Sequence, residues 1–171
     1  MKTKTLMSVL LLAAAFSFFG FRYLYQPAET APAKTSSIEG TYKFVSRKLP
    51  DGTVVKPPVA NGIQTFTNGY RNFNVMWTDK DGKHFSYSVY STYKLTDKDY
   101  TEHIIFGIMN DEISGKGLSY TTDQTKTVPV TYDGNKLSFK FPFDPPAATF
   151  EGNKMIATAK GMFTDYWEKI K

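Results

Sequence analysis

Cysteine is absent from the 171 residues, which excludes disulfides, thiolate metal sites, cysteine nucleophiles and lipidation on cysteine. Histidine is nearly absent. His84 and His103 are the only two, too few for a zinc site, which draws three or four ligands from histidine, cysteine and carboxylate. Asp111, Glu112 and Asp123 form the one acidic group worth testing for calcium, but their spacing matches no calcium loop. Catalytic signatures are missing as well. No Gly-x-Ser-x-Gly elbow occurs, and Ser86, Ser88 and Ser91 belong to an alternating strand face. Ser114-Gly115-Lys116-Gly117 lacks the strand-to-helix setting of a phosphate loop. No catalytic residue, no metal ligand set and no cofactor is therefore expected.

An excess of one charge sign is also lacking. The formal charge is +5, and part of it sits near the start, in Lys2, Lys4 and Arg22. Without residues 1–33 the chain holds 18 basic against 15 acidic residues. Those charges alternate in turns such as Asp79-Lys80-Asp81 and Asp97-Lys98-Asp99, so no stripe forms that would track a phosphate backbone. Nucleic acid is not an expected partner.

Charge-poor sequence does occur, from Leu6 to Phe21, behind Lys2 and Lys4 and ahead of Arg22. A positive start, a Leu/Ala-rich centre and the small residues Ala13, Ala14 and Ala15 predict a secretory signal over residues 1–25. Cleavage after Ala15 or after Ala33 fits this reading. The alternative is an uncleaved anchor over residues 5–25, with Arg22 snorkelling and Tyr23, Leu24 and Tyr25 lengthening a run short of the ~20 residues that span a bilayer. Both place the following domain outside the cytoplasm, in the periplasm or beyond. Residues 26–37, with two prolines and small polar side chains, read as a linker.

From Ile38 to the end, period-two patterning and turn signals predict an all-β domain over 38–171. Fourteen Phe, eleven Tyr and two Trp suit a pleated surface, where aromatic side chains pack across strands. In Thr41–Arg47, Tyr42 and Phe44 share one face while Lys43 and Arg47 share the other. Asn68-Gly69 supplies the two positive φ angles of a type I′ hairpin between 62–67 and 70–78. Strands are further expected over 84–93, 100–109, 127–132, 136–141, 148–150, 155–160 and 162–170. Residues 110–125, polar and Gly-rich, are expected to form a long loop or flap. An antiparallel up-and-down barrel of about eight or nine strands is expected, since closure would leave no unpaired edge, with a β-sandwich as the alternative.

The order of these pieces resembles the lipocalin-like domain family, small bacterial relatives of the lipocalin and calycin barrels. Gly40-Thr-Tyr-Lys-Phe-Val-Ser46 with Asp51-Gly-Thr-Val-Val55 is similar to that family's opening strand and turn, though Tyr42 stands where Trp is usual. Tyr93 to His103 resembles its middle hairpin, and Tyr132-Asp-Gly-Asn-Lys-Leu137 its late one. Tyr166-Trp-Glu-Lys169 resembles its closing strand, where an aromatic and a basic residue seal one barrel end. The resemblance covers residues 38–170 and implies a meandering barrel with a ligand cavity, but no fixed ligand or catalytic set.

Candidate cavity residues are Tyr42, Phe44, Phe73, Trp77, Phe85, Tyr87, Phe139 and Trp167, with His103 to orient a polar head group. Each ring serves equally well as plain core. The leading expectation is an exported barrel that binds a small hydrophobic or amphipathic ligand. The alternatives are an envelope-displayed structural or protein-interaction domain and a cofactor-free barrel enzyme. Membrane association is expected only through the N-terminal segment, where it is retained.

Overall fold

The computed structural model describes residues 37–170. The signal or anchor expected over 1–25, and nearly all of the 26–37 linker, lie outside the described residues.

Twelve strands follow one another: β1 (Gly40–Lys48), β2 (Val54–Val55), β3 (Ala60–Thr67), β4 (Tyr70–Thr78), β5 (His84–Leu95), β6 (Asp99–Asp111), β7 (Gly117–Pro129), β8 (Thr131–Asp133), β9 (Lys136–Lys140), β10 (Ala147–Glu151), β11 (Lys154–Ala159) and β12 (Phe163–Lys169). No helix occurs among the described residues. The all-β expectation is met. The count is not: there are twelve strands, against eight or nine. The largest correction is residues 110–125, expected as a loop. Only residues 112–116 turn, and β7 pairs with β6 along nearly its whole length. Its Ser-Tyr-Thr-Thr-Asp-Gln-Thr sequence faces solvent on most positions, so it lacks the apolar beat that marks a half-buried strand.

All pairings are antiparallel, in the order β7-β6-β5-β4-β3-β1-β12-β11-β10-β9-β8, with β2 added beside β1. The first long strand thus meets the last, and two meanders flank that seam. The sheet curls into a half-barrel, not the closed barrel expected, and its free edges, β7 and β8, are separated in sequence by Val130 alone.

Local chemistry accounts for the tightest pieces. Asn68 and Gly69 hold φ of 50° and 77°, as the hairpin between β3 and β4 requires. Gly62 serves close approach instead. A Cβ there would lie 2.7 Å from Trp167 Cη2 and 2.9 Å from the Asn74 carbonyl oxygen. The oxygen belongs to the β3–β4 ladder and the indole is packed, so neither can yield cheaply. Gly62→Ala is expected to cost about 1–3 kcal/mol, read as a lower urea midpoint at unchanged m-value. A midpoint within error of wild type would contradict this packing.

Two bulges decide which side chains point inward. In β1 the register slips between Phe44 and Ser46, so the buried series Tyr42, Phe44 continues with Arg47. The expectation that Arg47 shares Lys43's outer face is corrected by that one extra residue. In β6 the register with β5 slips between Ser91, opposite Ile104, and Tyr90, opposite Phe106. The buried series Tyr100, Glu102, Ile104 therefore continues as Gly107 and Asp111.

The inner face holds the core. Tyr42, Phe66, Tyr93, Tyr100, Phe139 and Phe150 form a plug of edge-on and stacked rings, with Tyr100 over Phe139 at 4.2 Å and Tyr42 edge-on to Phe150 at 5.8 Å. The Tyr42 hydroxyl donates to the Ile38 carbonyl at 3.1 Å. Burial, with Glu39 nearby, pushes it up to about 12. Lys169 Nζ lies 5.3 Å from the Tyr42 ring centroid.

Candidate functional site

Beyond the plug the inner face is hollow. A cavity of about 620 Å³ is lined by Phe73, Val75, Trp77, Phe85, Tyr87, Met109, Phe141, Met155, Ala157 and Trp167, and by the charged residues Arg47, Arg71, Lys116, Asp111, Asp144 and Asp165. Lys116 and Met162 are exposed where they border it. The space is bordered on the β11 side by the small Ala157, where β4 and β5 present rings. Small residues opposite large ones leave volume that side chains do not fill.

Arg71 stands between plug and hollow. It is 1% exposed, and its guanidinium carbon lies 4.1 Å from the Phe141 ring and 5.0 Å from Phe73. Nη1 donates to Glu102 at 2.8 Å, Nη2 to Asp144 at 2.8 Å, and Nε and Nη2 both reach Gln64 Oε1 at 3.0 and 2.9 Å. Ser91 donates to the same Glu102 oxygen at 2.7 Å. Burial works against the Arg71 charge, and the two carboxylates outweigh it, so the group stays cationic. Burial pushes the Asp144 carboxyl up, with Glu102 adding and Arg71 opposing. Tyr87 hydrogen-bonds Asp144, and burial raises its hydroxyl well above the usual phenol range.

The second charged group is Arg47, whose Nε and Nη2 donate to the two oxygens of Asp165 at 2.7 and 2.8 Å. Its guanidinium is sandwiched between Trp77 at 4.1 Å and Phe163 at 3.9 Å. Burial also pushes the Asp165 carboxyl up, against the hydrogen bonds and charge of Arg47. Near the rim Asp111 accepts from the Ser114 backbone N–H at 2.9 Å and from its hydroxyl, which holds its carboxyl down.

Of the nine residues singled out from the sequence, Phe73, Trp77, Phe85, Tyr87 and Trp167 line this cavity. Tyr42 and Phe139 lie in the plug, and Phe44 packs edge-on to Trp167 at 5.3 Å. None of these three borders the space. His103 is on the outer face, its side chain 40% exposed, with Nδ1 2.8 Å from Thr125 Oγ1. Its neighbour Glu102 takes the inner position. Sequence reasoning missed the polar half of the site: Arg71, Glu102, Gln64, Asp144, Arg47 and Asp165. Alternation does put Arg71 and Phe73 on one face, and a charged residue in phase with a strand's aromatic face was the available signal.

No family model, curated protein or solved structure matches this chain. The chemistry of the cavity is all that speaks for its use. No cluster of three or more metal-ligating side chains occurs among the described residues.

The charges have a pH signature. Asp144 and Asp165 have raised pKa values in the folded state, so folding takes up protons and the stability from these groups grows as pH falls towards the ordinary carboxylate pKa of about 4. Asp51, Asp111 and Glu112 are held low by hydrogen bonds, so their contribution is lost further down, below about pH 4. The melting temperature is expected to peak on the weakly acidic side. A steady fall from pH 7 to pH 5 would show that burial does not dominate at Asp144 and Asp165.

Proposed function

We propose that this protein is an exported, lipocalin-like binder of a small hydrophobic or amphipathic molecule, held in the hollow of the curled sheet. The observation that carries the reading is the cavity of about 620 Å³, bordered by Phe73, Trp77, Phe85, Tyr87 and Trp167. Its size falls within the ~300–1,000 Å³ of small-molecule sites, which combine apolar walls with a few placed polar groups. The meander of hairpins, with first strand beside last, agrees with the lipocalin-like resemblance, and the charge-poor segment over residues 6–21 supports export.

Native mass spectrometry of the full chain isolated from its host tests both parts. A bound small molecule and an N-terminus set by cleavage, or by retention in the membrane fraction, are expected. A ligand-free mass that no amphiphile changes would overturn the binding reading.

One observation favours the second reading, an interaction domain without a small ligand. On the outer face of β4–β7 the rows through Asn72, Asn74, Met76, Ser86, Ser88, Tyr90, Phe106, Ile108, Asn110, Leu118, Tyr120 and Thr122 contain no acidic or basic side chain. Phe106, Leu118 and Tyr120 are 46%, 58% and 68% exposed, and apolar patches of this kind mark interaction surfaces. Under that reading Phe106→Lys abolishes a cross-linked complex in the host while leaving amphiphile uptake at nil. Unchanged cross-linking would remove it.

A further inference from the structure

The charges around the cavity do not balance, and the imbalance is local. Arg47 and Asp165 neutralise one another through two hydrogen bonds. At the rim Asp111 is held by two hydrogen bonds from Ser114, with the charge of Lys116 acting on it as well. Arg71, however, meets two carboxylates, Asp144 from the cavity side and Glu102 from behind. Among the described residues neither acid has a second cationic partner within ion-pair distance. The inner end of the hollow therefore carries one carboxylate more than it has cations.

Arg71 is also unavailable to a ligand. A guanidinium has five N–H donors, and four hydrogen bonds from Arg71 already go to Gln64, Glu102 and Asp144. It cannot offer the two-pronged grip by which arginine takes a carboxylate. An anionic head group would add a further negative charge where the dielectric is low and the counter-charge is spent. A cationic head group would restore neutrality and donate to Asp144. The rings already hold one cation in this way, since Trp77 and Phe163 sandwich Arg47 at 4.1 and 3.9 Å.

We infer that the cavity takes amphiphiles whose head group is a protonated amine, seated against Asp144 with the chain along Phe73 and Trp167, and that it discriminates against carboxylates. This rests on the cavity being a ligand site, as proposed above. The preference runs opposite to the protein's overall charge of +5, which by itself would attract anions.

The test is calorimetric titration of the full chain, at neutral pH, with decylamine, decanol and decanoate, three probes that share one chain length. Decylamine is expected to bind about tenfold tighter than decanol, and decanoate weakest of all. Asp144→Asn is expected to bring the amine down to the affinity of the alcohol. The wild-type series decides the matter alone if that variant folds poorly. Decanoate binding as tightly as decylamine would overturn the head-group assignment while leaving the cavity reading standing. Failure of all three to bind would overturn both.

Discussion

Arg71→Met is expected to remove about 3–5 kcal/mol of stability at neutral pH. Against the ~5–15 kcal/mol that holds a small domain together, this would leave a substantial unfolded population. The reason is the company Arg71 keeps. Glu102 is 0% exposed and Asp144 9% exposed, and without the guanidinium both are buried acids lacking a counter-charge. Gln64, which accepts two of its hydrogen bonds, would be left with an unpaired oxygen as well. The signature separating charge from packing is pH. Protonation relieves an uncompensated acid, so the deficit measured by urea unfolding should shrink as pH falls from 7 towards 5. A variant that also carries Glu102→Leu and Asp144→Leu should recover much of the loss, because apolar replacement of a whole buried ionic group is often neutral or stabilising. A deficit that is constant with pH and unrelieved by the added leucines would mean that Arg71 matters as filler.

Ala157→Trp is expected to weaken binding of a ten-carbon amphiphile roughly a hundredfold while preserving the fold. Ala157 is 4% exposed, lies on β11 opposite Asp165 of β12, and borders the cavity. An indole at that position occupies space otherwise open to the ligand's chain. Displacing three or four methylenes at about 0.8 kcal/mol each forfeits roughly 2–3 kcal/mol, and every 1.4 kcal/mol is a factor of about ten. Trp77 and Trp167 line the same space, so their fluorescence should respond to ligand in the wild type and fall silent in the variant. The unfolding midpoint is expected to move little, because the added ring enters an existing hollow and does not force one open. Undiminished binding with an intact fold would place the ligand elsewhere.

Much of the architecture was legible. Asn68-Gly69 located the β3–β4 hairpin because few residues tolerate two successive positive φ angles. The alternation of Phe73, Val75 and Trp77 oriented β4, and Phe85, Tyr87 and Val89 oriented β5, since side chains two apart share a face. From those phases alone, Phe73, Trp77, Phe85 and Tyr87 were placed on one wall. β7 was illegible for a matching reason. With both faces largely wet, its sequence has no beat, and its ladder to β6 is a backbone property that composition does not record.

The polar half of the site hid behind two slips of register. Arg47 reads as an outer-face residue until the β1 bulge turns it inward against Asp165, 118 residues away. Asp111 and Gly107 change face at the β6 bulge in the same way. Asp144 sits in a proline-rich stretch between β9 and β10 that predicts nothing about direction. Its pairing with Arg71 spans 73 residues.

Export-type patterning, the all-β class and the aromatic inner wall were determined by sequence alone, because composition, period and turn chemistry are local. Whether those rings would close up or leave a hollow was decided only in three dimensions. It depended on Ala157 bordering the same space as those rings, and on two single-residue bulges that aimed the charges. Volume and charge balance are sums over strands remote in sequence, and no local pattern contains them.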